Sequence, residues 1–271
     1  MSFRQISIVT FNTNDGQPSE SAPANWKAQH QRQATVQELA RLGADIVCLQ
    51  EITSGISIPG YVAAPEAVTS HRGACCTFVK ASSGIRVLEQ GDAGPCILTL
   101  LELPAPAQHD RQYDAALADA IGGRSGDSSG QIVIANCHLA PFGGNGEKRR
   151  SQVASIAQAA QRLAPGVRLL ICGDTNMREN ETADVLDMGL ADAWVECGSD
   201  PHQRDTWDTN INQYYREGAA YTARYDRFMW PLQHDLQALS PPALVLDQPV
   251  AGMRGVYLSD HFGLMMTVGW E

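Results

Sequence analysis

The chain has 271 residues, of which 44% are hydrophobic and 18% are charged, the balance of a soluble globular protein with a large core. This length lies near the upper end for one domain and no break in composition divides it, so we expect a single domain over residues 1–271. The net charge of −10 argues against broad neutralisation of nucleic-acid phosphates, because proteins that bind in that way carry a basic stripe.

Membrane and secretory segments are not evident in the sequence. No apolar run approaches the roughly 20 residues that cross a bilayer, and the first run, 6–11, is too short for a signal peptide. Six of the seven cysteines lie inside apolar runs, which is typical of reduced, buried thiols. We therefore expect a cytoplasmic or nuclear protein, monomeric and without a membrane partner.

Short apolar runs rich in β-branched residues predict most of the secondary structure. In chain order, the predicted strands are 6–11, 46–49, 74–79, 85–88, 97–103, 132–139, 167–172, 227–230 and 264–268. Helices are predicted over 29–42, with Gly43 ending the first, and over 148–163. Residues 104–130 are rich in Pro, Gly, Ser and Asp around a short Ala-rich piece, 113–121, and predict an exposed insertion.

Strands outnumber helices in this pattern and do not alternate strictly with them, which argues against a doubly wound parallel sheet. The pattern favours an α+β fold in which two packed, mainly antiparallel sheets are flanked by helices. We expect a four-layer α/β/β/α sandwich.

Polar residues stand at the carboxyl ends of these strands or just beyond them. They are Asn12, Glu51, His138, Asp174 with Asn176, Asp226, and Asp260 with His261. Each alone has a simpler structural explanation: Asn12 is typical of a turn, and Asp174 and Asn176 suit a turn or a helix cap. Strand ends at one edge of a sandwich can converge on one cleft, so the set as a whole indicates a site.

In order and spacing, six segments resemble the endonuclease/exonuclease/phosphatase superfamily. The segments are Thr10-Phe11-Asn12, Leu49-Gln50-Glu51, Asn136-Cys137-His138-Leu139, Gly173-Asp174-Thr175-Asn176, Tyr225-Asp226-Arg227 and Ser259-Asp260-His261. The resemblance spans residues 6 to 268, which is nearly the whole chain. It implies a metal-dependent phosphoesterase with the sandwich fold predicted above.

Longer matches around Asp174, Trp207, Asp226 and His261 resemble the 5′-tyrosyl-DNA phosphodiesterases, which remove tyrosine from DNA 5′ ends. Three features depart from that group. The first motif reads Asn12-Thr13-Asn14-Asp15-Gly16, with Asn in the usual Asp place; Leu-Ala-Pro follows His138 instead of Leu-Glu-Ser; and the 104–130 insertion is long. These departures bear on the substrate and leave the core chemistry unchanged.

The resemblance implies a role for each matched residue. Glu51 would bind Mg²⁺, for which Mn²⁺ would substitute, with Asn12 near the ion or its water and Asp260 as a second contact. Asp174 would be the general base, held by Asn176. His138 and His261 would stabilise the charged transition state, with Asp226 supporting the His261 cation.

Substrate contacts are expected from Asn12, from Arg178 and from Trp207 as a stacking or wall residue. The expected partner is a phosphodiester, such as a 5′-phosphotyrosyl DNA end. The same fold leaves other substrates open: a phosphomonoester, an abasic site or another nuclease target, or a lipid headgroup diester. A non-catalytic scaffold is disfavoured, because Glu51, Asp174, Asn176 and His261 are all present.

Overall fold

A computed structural model describes residues 3–52, 55–64, 74–104, 130–215 and 218–271, and it places the strands in two large sheets. The first sheet has the strand order β13-β15-β1-β2-β4-β3, with β14 also paired to β15. Its strands are β1 Arg4–Asn12, β2 Ile46–Ile52, β3 Tyr61–Ala63, β4 Ala74–Lys80, β13 Gln237–Ala238, β14 Ala243–Val245 and β15 Gly263–Trp270.

The second sheet has the order β5-β6-β7-β8-β12-β9. Its strands are β5 Arg86–Asp92, β6 Cys96–Glu102, β7 Gln131–His138, β8 Arg168–Asp174, β9 Leu190–Asp192 and β12 Asp226–Pro231. A short hairpin-like pair, β10 Trp207–Asp208 and β11 Thr222–Ala223, stands apart from both sheets. Each large sheet contains one parallel pair, β1 with β2 and β7 with β8, and its other pairs are antiparallel.

Side-chain alternation along the strands explains why the sheets pack in layers. Ile8 on β1 and Ile134 on β7 belong to the core between the two sheets. Their neighbours Val9 and Val133 point the other way, each into a separate apolar cluster on the outer face of its own sheet. Because helices cover those outer faces, the predicted four-layer sandwich is confirmed.

Four helices lie within the described residues: α1 Ala28–Leu42, α2 Gly146–Leu163, α3 Thr182–Asp187 and α4 Ala193–Glu196. Helix α1 buries Leu39 against the first sheet, and α2 buries Val153 and Ile156 against the second. Gly43 adopts a left-handed φ of 69° at the end of α1, as the sequence predicts. Within the described ranges, no helix is long and apolar enough to cross a bilayer.

All nine predicted strands and both predicted helices are present, with shifted ends. The Ala-rich piece at 113–121 lies outside the described residues, as does most of the predicted insertion. The two ends of that segment meet, because the Leu103 N–H donates to the Gly130 carbonyl at 2.9 Å. All seven cysteines are free thiols, and the six expected to be buried are buried.

Candidate active site

Strand register brings six of the predicted site residues to one edge of the sandwich. They are Asn12, Glu51, His138, Asp174, Asp226 and His261. In the first sheet, Asn12 on β1 pairs with Gln50 on β2, so that Glu51 follows directly. In the second sheet, Asp174 on β8 lies between His138 on β7 and Asp226 on β12. The parallel pairs end at the same edge, which places both sets of side chains together.

Glu51 stands on an irregularity of β2. The register between β2 and β4 shifts between Leu49 and Ile52, and Glu51 has a left-handed φ of 48°. A β-bulge of this kind re-aims a side chain that would otherwise follow the strand alternation. The Thr13 hydroxyl holds the bulge by donating to the Glu51 carbonyl at 2.6 Å. The Glu51 side chain, 33% exposed, therefore points out of the strand end toward solvent.

Asn12 bridges carboxylates from the two sheets. Its Nδ2 donates at 3.0 Å to Glu51 Oε1 and at 3.0 Å to Asp174 Oδ2. Its Oδ1 accepts from the Asn14 N–H at 3.0 Å, which supports this orientation of the amide. Asn12 thus offers nitrogen, and not oxygen, to the two carboxylates, and it joins the sheets at the centre of the site.

The donors at this point fit a hard divalent cation. One donor atom each from Glu51, His138 and Asp174 lies within 4.8 Å of the others. Two carboxylates so close together repel each other unless a positive charge lies nearby. Mg²⁺ prefers oxygen ligands, uses one or two carboxylates and keeps several waters, which suits the partly exposed Glu51. The His138 nitrogen is a less suitable ligand for such an ion.

Asp174 is held rigidly at the end of β8. It is 1% exposed, and its Oδ1 accepts from the Asn176 N–H at 2.9 Å. Asn176 has a left-handed φ of 51°, and its Nδ2 donates to the Leu139 carbonyl at 3.2 Å. Strained residues of this kind persist where their surroundings fix them, and they cluster at active sites. The other oxygen, Oδ2, lies 3.5 Å from His138 Nε2.

Asp226 and His261 form a buried pair. His261 Nδ1 lies 2.9 Å from Asp226 Oδ2, and His261 Nε2 lies 3.7 Å from Asp174 Oδ2. Burial alone would lower the pKa of His261, but the charges of Asp226 and Asp174 outweigh burial and raise that pKa to about 10. Burial raises the pKa of Asp226, while the neighbouring His261 lowers it in part. The two carboxylates therefore favour the protonated form of His261, whose Nε2 faces Asp174.

Aromatic side chains and Arg178 form a wall next to His261. The Trp207 ring meets His261 edge-on at 5.0 Å and stacks on Tyr221 at 6.1 Å. The Arg178 guanidinium lies 4.5 Å from the centre of the Tyr225 ring. Arg178, Tyr221 and Tyr225 line a cleft of about 340 Å³. Two of the residues predicted to contact substrate are thus placed in this wall, Arg178 against Tyr225 and Trp207 against His261.

Asp260 is hydrogen-bonded to two neighbouring hydroxyl groups. Its Oδ1 accepts from the Ser259 hydroxyl at 3.0 Å, and its Oδ2 accepts from the Tyr215 hydroxyl at 2.8 Å. It borders a second cleft, of about 470 Å³, together with Trp207 and Tyr215. Among the described residues it joins no cluster of metal-ligand geometry, so its role as a second metal contact stays a prediction.

Two buried amides, which the sequence motifs contain but to which the sequence assigns no role, support the site from inside the sandwich. Gln50 Nε2 donates to Asn136 Oδ1 at 2.7 Å across the two sheets. Asn136 Nδ2 donates in turn to the Leu49 and Cys76 carbonyls, at 3.2 and 3.0 Å. Both amide side chains are fully buried. The sequence does carry a signal for these two amides, since each is a polar residue at an inward position of an apolar strand. Gln50 also stands directly before Glu51.

A sequence model described as the Endonuclease/Exonuclease/phosphatase family matches residues 9–261, which covers every residue of the cluster. The chain belongs to this family. The match agrees with the geometry, because its limits enclose both strand ends that supply Asn12 and Glu51 and the segment that supplies His261.

Within the Endonuclease/Exonuclease/phosphatase family, the chain is similar to Tyrosyl-DNA phosphodiesterase 2. It is 29% identical to the Danio rerio protein over 146 residues, covering 51% of this chain and 38% of that one. It is 26% identical to the Homo sapiens protein over 143 residues, covering 52% and 40%. The match thus spans about two fifths of the length of these relatives.

Two solved structures share the fold over nearly the whole chain. Danio rerio TDP2 complexed with single strand DNA product superimposes with a TM-score of 0.70 at 20% identity, covering 97% of this chain and 98% of that one. A functionally unknown conserved protein from Enterococcus faecalis V583 gives 0.66 at 14% identity, covering 98% and 100%. At these identities the likeness shows the common architecture.

Proposed function

We propose that the chain is a divalent-metal-dependent phosphodiesterase that cleaves a P–O bond by direct attack of water. The substrate class is a phosphodiester at a DNA 5′ end, such as a 5′-phosphotyrosyl adduct. One observation carries the proposal: the buried Asp174 carboxylate contacts the Asn12 amide and the Asn176 N–H and lies within 4 Å of two histidines. The catalytic unit would be a single domain over residues 1–271 that acts as a monomer.

Asp174 is the general base of this reaction. The Asn176 N–H fixes Oδ1, and Oδ2 faces the partly exposed side of the site that Glu51 borders. A water bonded to that oxygen would lose its proton to Asp174 as it attacks the phosphorus. The Asn176 amide carries two hydrogens, and only one is needed for the bond to Leu139. The second is available to a phosphate oxygen.

His138 and His261 stabilise the charge that builds on the non-bridging oxygens. Both present Nε2 toward the same Asp174 oxygen, at 3.5 and 3.7 Å. Preorganised donors aimed at developing charge lower the barrier, since the protein has already oriented them. Asp226 is a positioning residue, which fixes the His261 ring through Nδ1 and keeps it protonated.

Glu51 would hold the metal ion, with Asp174 and Asn12 next to it and Asp260 as a candidate for a second contact. A bound Mg²⁺ would neutralise charge on the phosphate and on the leaving oxygen. Mn²⁺ would substitute, since both ions suit carboxylate and water ligands.

The walls of the site favour a single-stranded end. Arg178 presents a guanidinium beside His261's aromatic neighbours and would meet a phosphodiester of the strand, while Trp207 offers a ring for a terminal base. The solved relative from Danio rerio holds a single strand DNA product, which supports the same ligand class here. A strand end presents few phosphates, which suits a net charge of −10.

A substrate panel tests the proposal. Purified protein would be assayed with bis-p-nitrophenyl phosphate, thymidine 5′-p-nitrophenyl phosphate, a 5′-phosphotyrosyl oligonucleotide, an abasic duplex and an inositol phosphate, with Mg²⁺ and with EDTA. We expect hydrolysis of the first three, with the phosphotyrosyl oligonucleotide giving the highest kcat/KM, and loss of all activity in EDTA.

Other outcomes separate the alternatives. Efficient cleavage of the abasic duplex or the inositol phosphate, with the phosphotyrosyl oligonucleotide left intact, would refute the proposed substrate. The proposed metal-dependent cleavage of a P–O bond by water would still hold. Mg²⁺ binding with no hydrolysis of any member would identify a non-catalytic scaffold. The variant Asp174→Asn separates true turnover from a contaminant, because loss of the general base should reduce kcat by about 10²-fold or more.

A further inference from the structure

Phe142, four residues beyond His138, combines an exposed aromatic ring with a strained backbone. Its φ is 70° and its ψ is 147°, at the border of a region that only glycine occupies without strain. Its side chain is 69% exposed, so burial of the ring does not offset that strain. Glycine, which suits this conformation, occupies the next two positions, 143 and 144, but not position 142 itself. The conformation of Phe142 therefore needs an explanation outside the packing of the core.

A fully buried arginine holds the Phe142 backbone in place. Arg149 Nη1 donates to the Phe142 carbonyl at 2.8 Å and to the Ala140 carbonyl at 2.8 Å. The Asn145 N–H donates to the same Phe142 carbonyl at 3.2 Å. Two bonds to the Phe142 carbonyl, and one to Ala140 just before it, thus hold a conformation that the residue itself disfavours. Surroundings that fix a strained residue in this way are a mark of functional sites.

The same arginine connects this loop to Arg178. Arg149 pairs through Nε and Nη2 with the two oxygens of Glu181, at 2.9 and 2.5 Å. Glu181 Oε1 also accepts from the Arg178 N–H at 3.0 Å. Phe142 and Arg178 each lie four residues beyond the paired strand ends His138 and Asp174. One buried ion pair therefore sets the position of both loops relative to each other.

The loop that carries Phe142 lies next to a guanidinium and two aromatic rings at the edge of the site. A methyl group placed at Gly143 would lie 4.0 Å from Arg178 Nε, so the loop that carries Phe142 adjoins Arg178. Arg178 stacks on Tyr225 at 4.5 Å, and Tyr225 lies 5.9 Å from Trp207. Contacts thus run from the Phe142 loop to Arg178, from Arg178 to Tyr225 and from Tyr225 to Trp207.

We propose that Phe142 is a specificity-determining residue that stacks on a second base of a single-stranded substrate. In this arrangement Trp207 contacts the first base, Arg178 contacts the phosphodiester between the two, and Phe142 contacts the second base. A single strand alternates flat bases with anionic phosphates, and proteins that bind it pair aromatic rings with basic groups in the same alternation. The inference rests on the proposed function and extends it from one nucleotide to two.

The test compares two p-nitrophenyl esters that differ by one base. One is thymidine 5′-p-nitrophenyl phosphate, and the other carries the same ester at the 5′ end of a thymidine dinucleotide. A stacked base contributes a factor of roughly 5 to 150 in binding. Phe142→Gly should raise KM for the dinucleotide ester by that factor and leave KM for the one-base ester within about twofold. Phe142→Trp should keep the KM of the wild type on both.

Glycine is the informative substitution because it relieves the backbone strain, so the variant should fold with a Tm no lower than that of the wild type. Val62→Ala is the matched control, since Val62 is also exposed, at 61%, and lies on the edge strand β3. It should change neither KM. A higher KM in Phe142→Gly together with an unchanged or higher Tm is a pattern that a purely structural role does not produce.

A binding measurement keeps the inference testable apart from hydrolysis. Fluorescence anisotropy of a labelled 5′-phosphorylated oligothymidylate, in EDTA, should show weaker binding to Phe142→Gly than to the wild type. Equal effects on the one-base and two-base esters, or unchanged oligonucleotide binding, would overturn the role of Phe142. If the wild type binds the oligonucleotide through Phe142 but hydrolyses neither ester, the proposed function fails while the contact at Phe142 stands.

Discussion

Gly173 offers a direct test of how the site is assembled. It precedes Asp174, pairs in register with Cys137 on β7, and has a φ of 132°. A Cβ at this position would lie 2.1 Å from the Cys137 carbonyl oxygen, where real Cβ atoms stay beyond 3.0 Å. Gly173→Ala must therefore move β8 away from β7 by about 1 Å at the place where His138 and Asp174 face each other.

The expected magnitude follows from two costs. A side chain at this φ costs about 1–3 kcal/mol in backbone strain, and overpacking between strands costs about 1–3 kcal/mol more. The free energy of unfolding should fall by roughly 2–6 kcal/mol, which corresponds to a Tm lower by roughly 5–20 °C in a chain of this size. A displacement of about 1 Å in a catalytic group reduces the rate by about 10²-fold.

Gly166→Ala is the matched control. Gly166 has a left-handed φ of 74°, no neighbouring atom lies within 4 Å of its Cβ position, and it precedes the opposite end of β8. The control should lose only about 1–2 kcal/mol of stability and keep its kcat. Thermal unfolding by circular dichroism and kcat on thymidine 5′-p-nitrophenyl phosphate, measured where both variants are folded, provide the comparison.

The reasoning fails if Gly173→Ala retains the kcat of the wild type. In that outcome the close approach of β7 and β8 would not set the spacing between His138 and Asp174. A loss of Tm no larger than that of Gly166→Ala would show that the strands absorb the methyl group without strain.

Three further predictions concern the metal, the buried pair and the aromatic wall. Glu51→Gln removes the charge that would hold the ion, so isothermal titration should show weaker Mg²⁺ binding with an unchanged Tm; binding and turnover equal to the wild type would refute the assignment. The pKa of His261 in the folded protein is raised to about 10 from an ordinary 6.5. The stability contributed by its ion pair is therefore fully present below pH 6.5 and is lost as the pH rises through about 10. Activity should decline as the pH approaches and passes 10, because His261 loses its proton there. Asp226→Asn removes the carboxylate nearest to His261, so the decline of kcat/KM at high pH should begin at a lower pH. If the losses of activity caused by Asp226→Asn and His261→Ala add in the double variant, Asp226 does not act through His261. Trp207→Ala should raise KM for an oligonucleotide by about 5- to 150-fold with little effect on bis-p-nitrophenyl phosphate, and equal effects on both substrates would exclude a stacking role.

The strands that carry the site could be predicted because their apolar runs are continuous and each ends in a polar residue. The exact end of β2 could not. The prediction stops at residue 49, but the strand continues to Ile52 through a bulge. A bulge depends on pairing with β4, which lies more than 20 residues away in the chain. Hydrophobic periodicity holds no information about that pairing.

Edge strands were also harder to predict. The predicted strand 85–88 is in fact β5, Arg86–Asp92, whose second half contains Glu89, Gln90 and Asp92. Among the described strands it pairs with β6 alone, so polar residues there remain accessible and the apolar pattern disappears. Strand β9, Leu190–Asp192, is too short for any periodicity to show.

The partners of buried charges lie beyond any local pattern. Arg227 belongs to a motif that the sequence analysis quoted, yet its role follows only from the fold. Arg224 and Arg227 both donate to Asp192 of β9, at 2.7 Å each. Their separation from Asp192 along the chain exceeds 30 residues. Only tertiary structure shows that these arginines hold the wall of the cleft together.

The order of strands in the first sheet has a consequence for biosynthesis. Strand β1, which carries Asn12, takes its antiparallel partner from β15, Gly263–Trp270, and His261 stands just before that partner. A ribosome that has made Asn12, Glu51, His138 and Asp174 has therefore not yet supplied the neighbour that completes their sheet. Domains generally fold as units during or after synthesis, and here the unit closes only when β15 is available. A growing chain therefore cannot bring Asn12, Glu51, His138 and Asp174 together with His261 until β15 has been made.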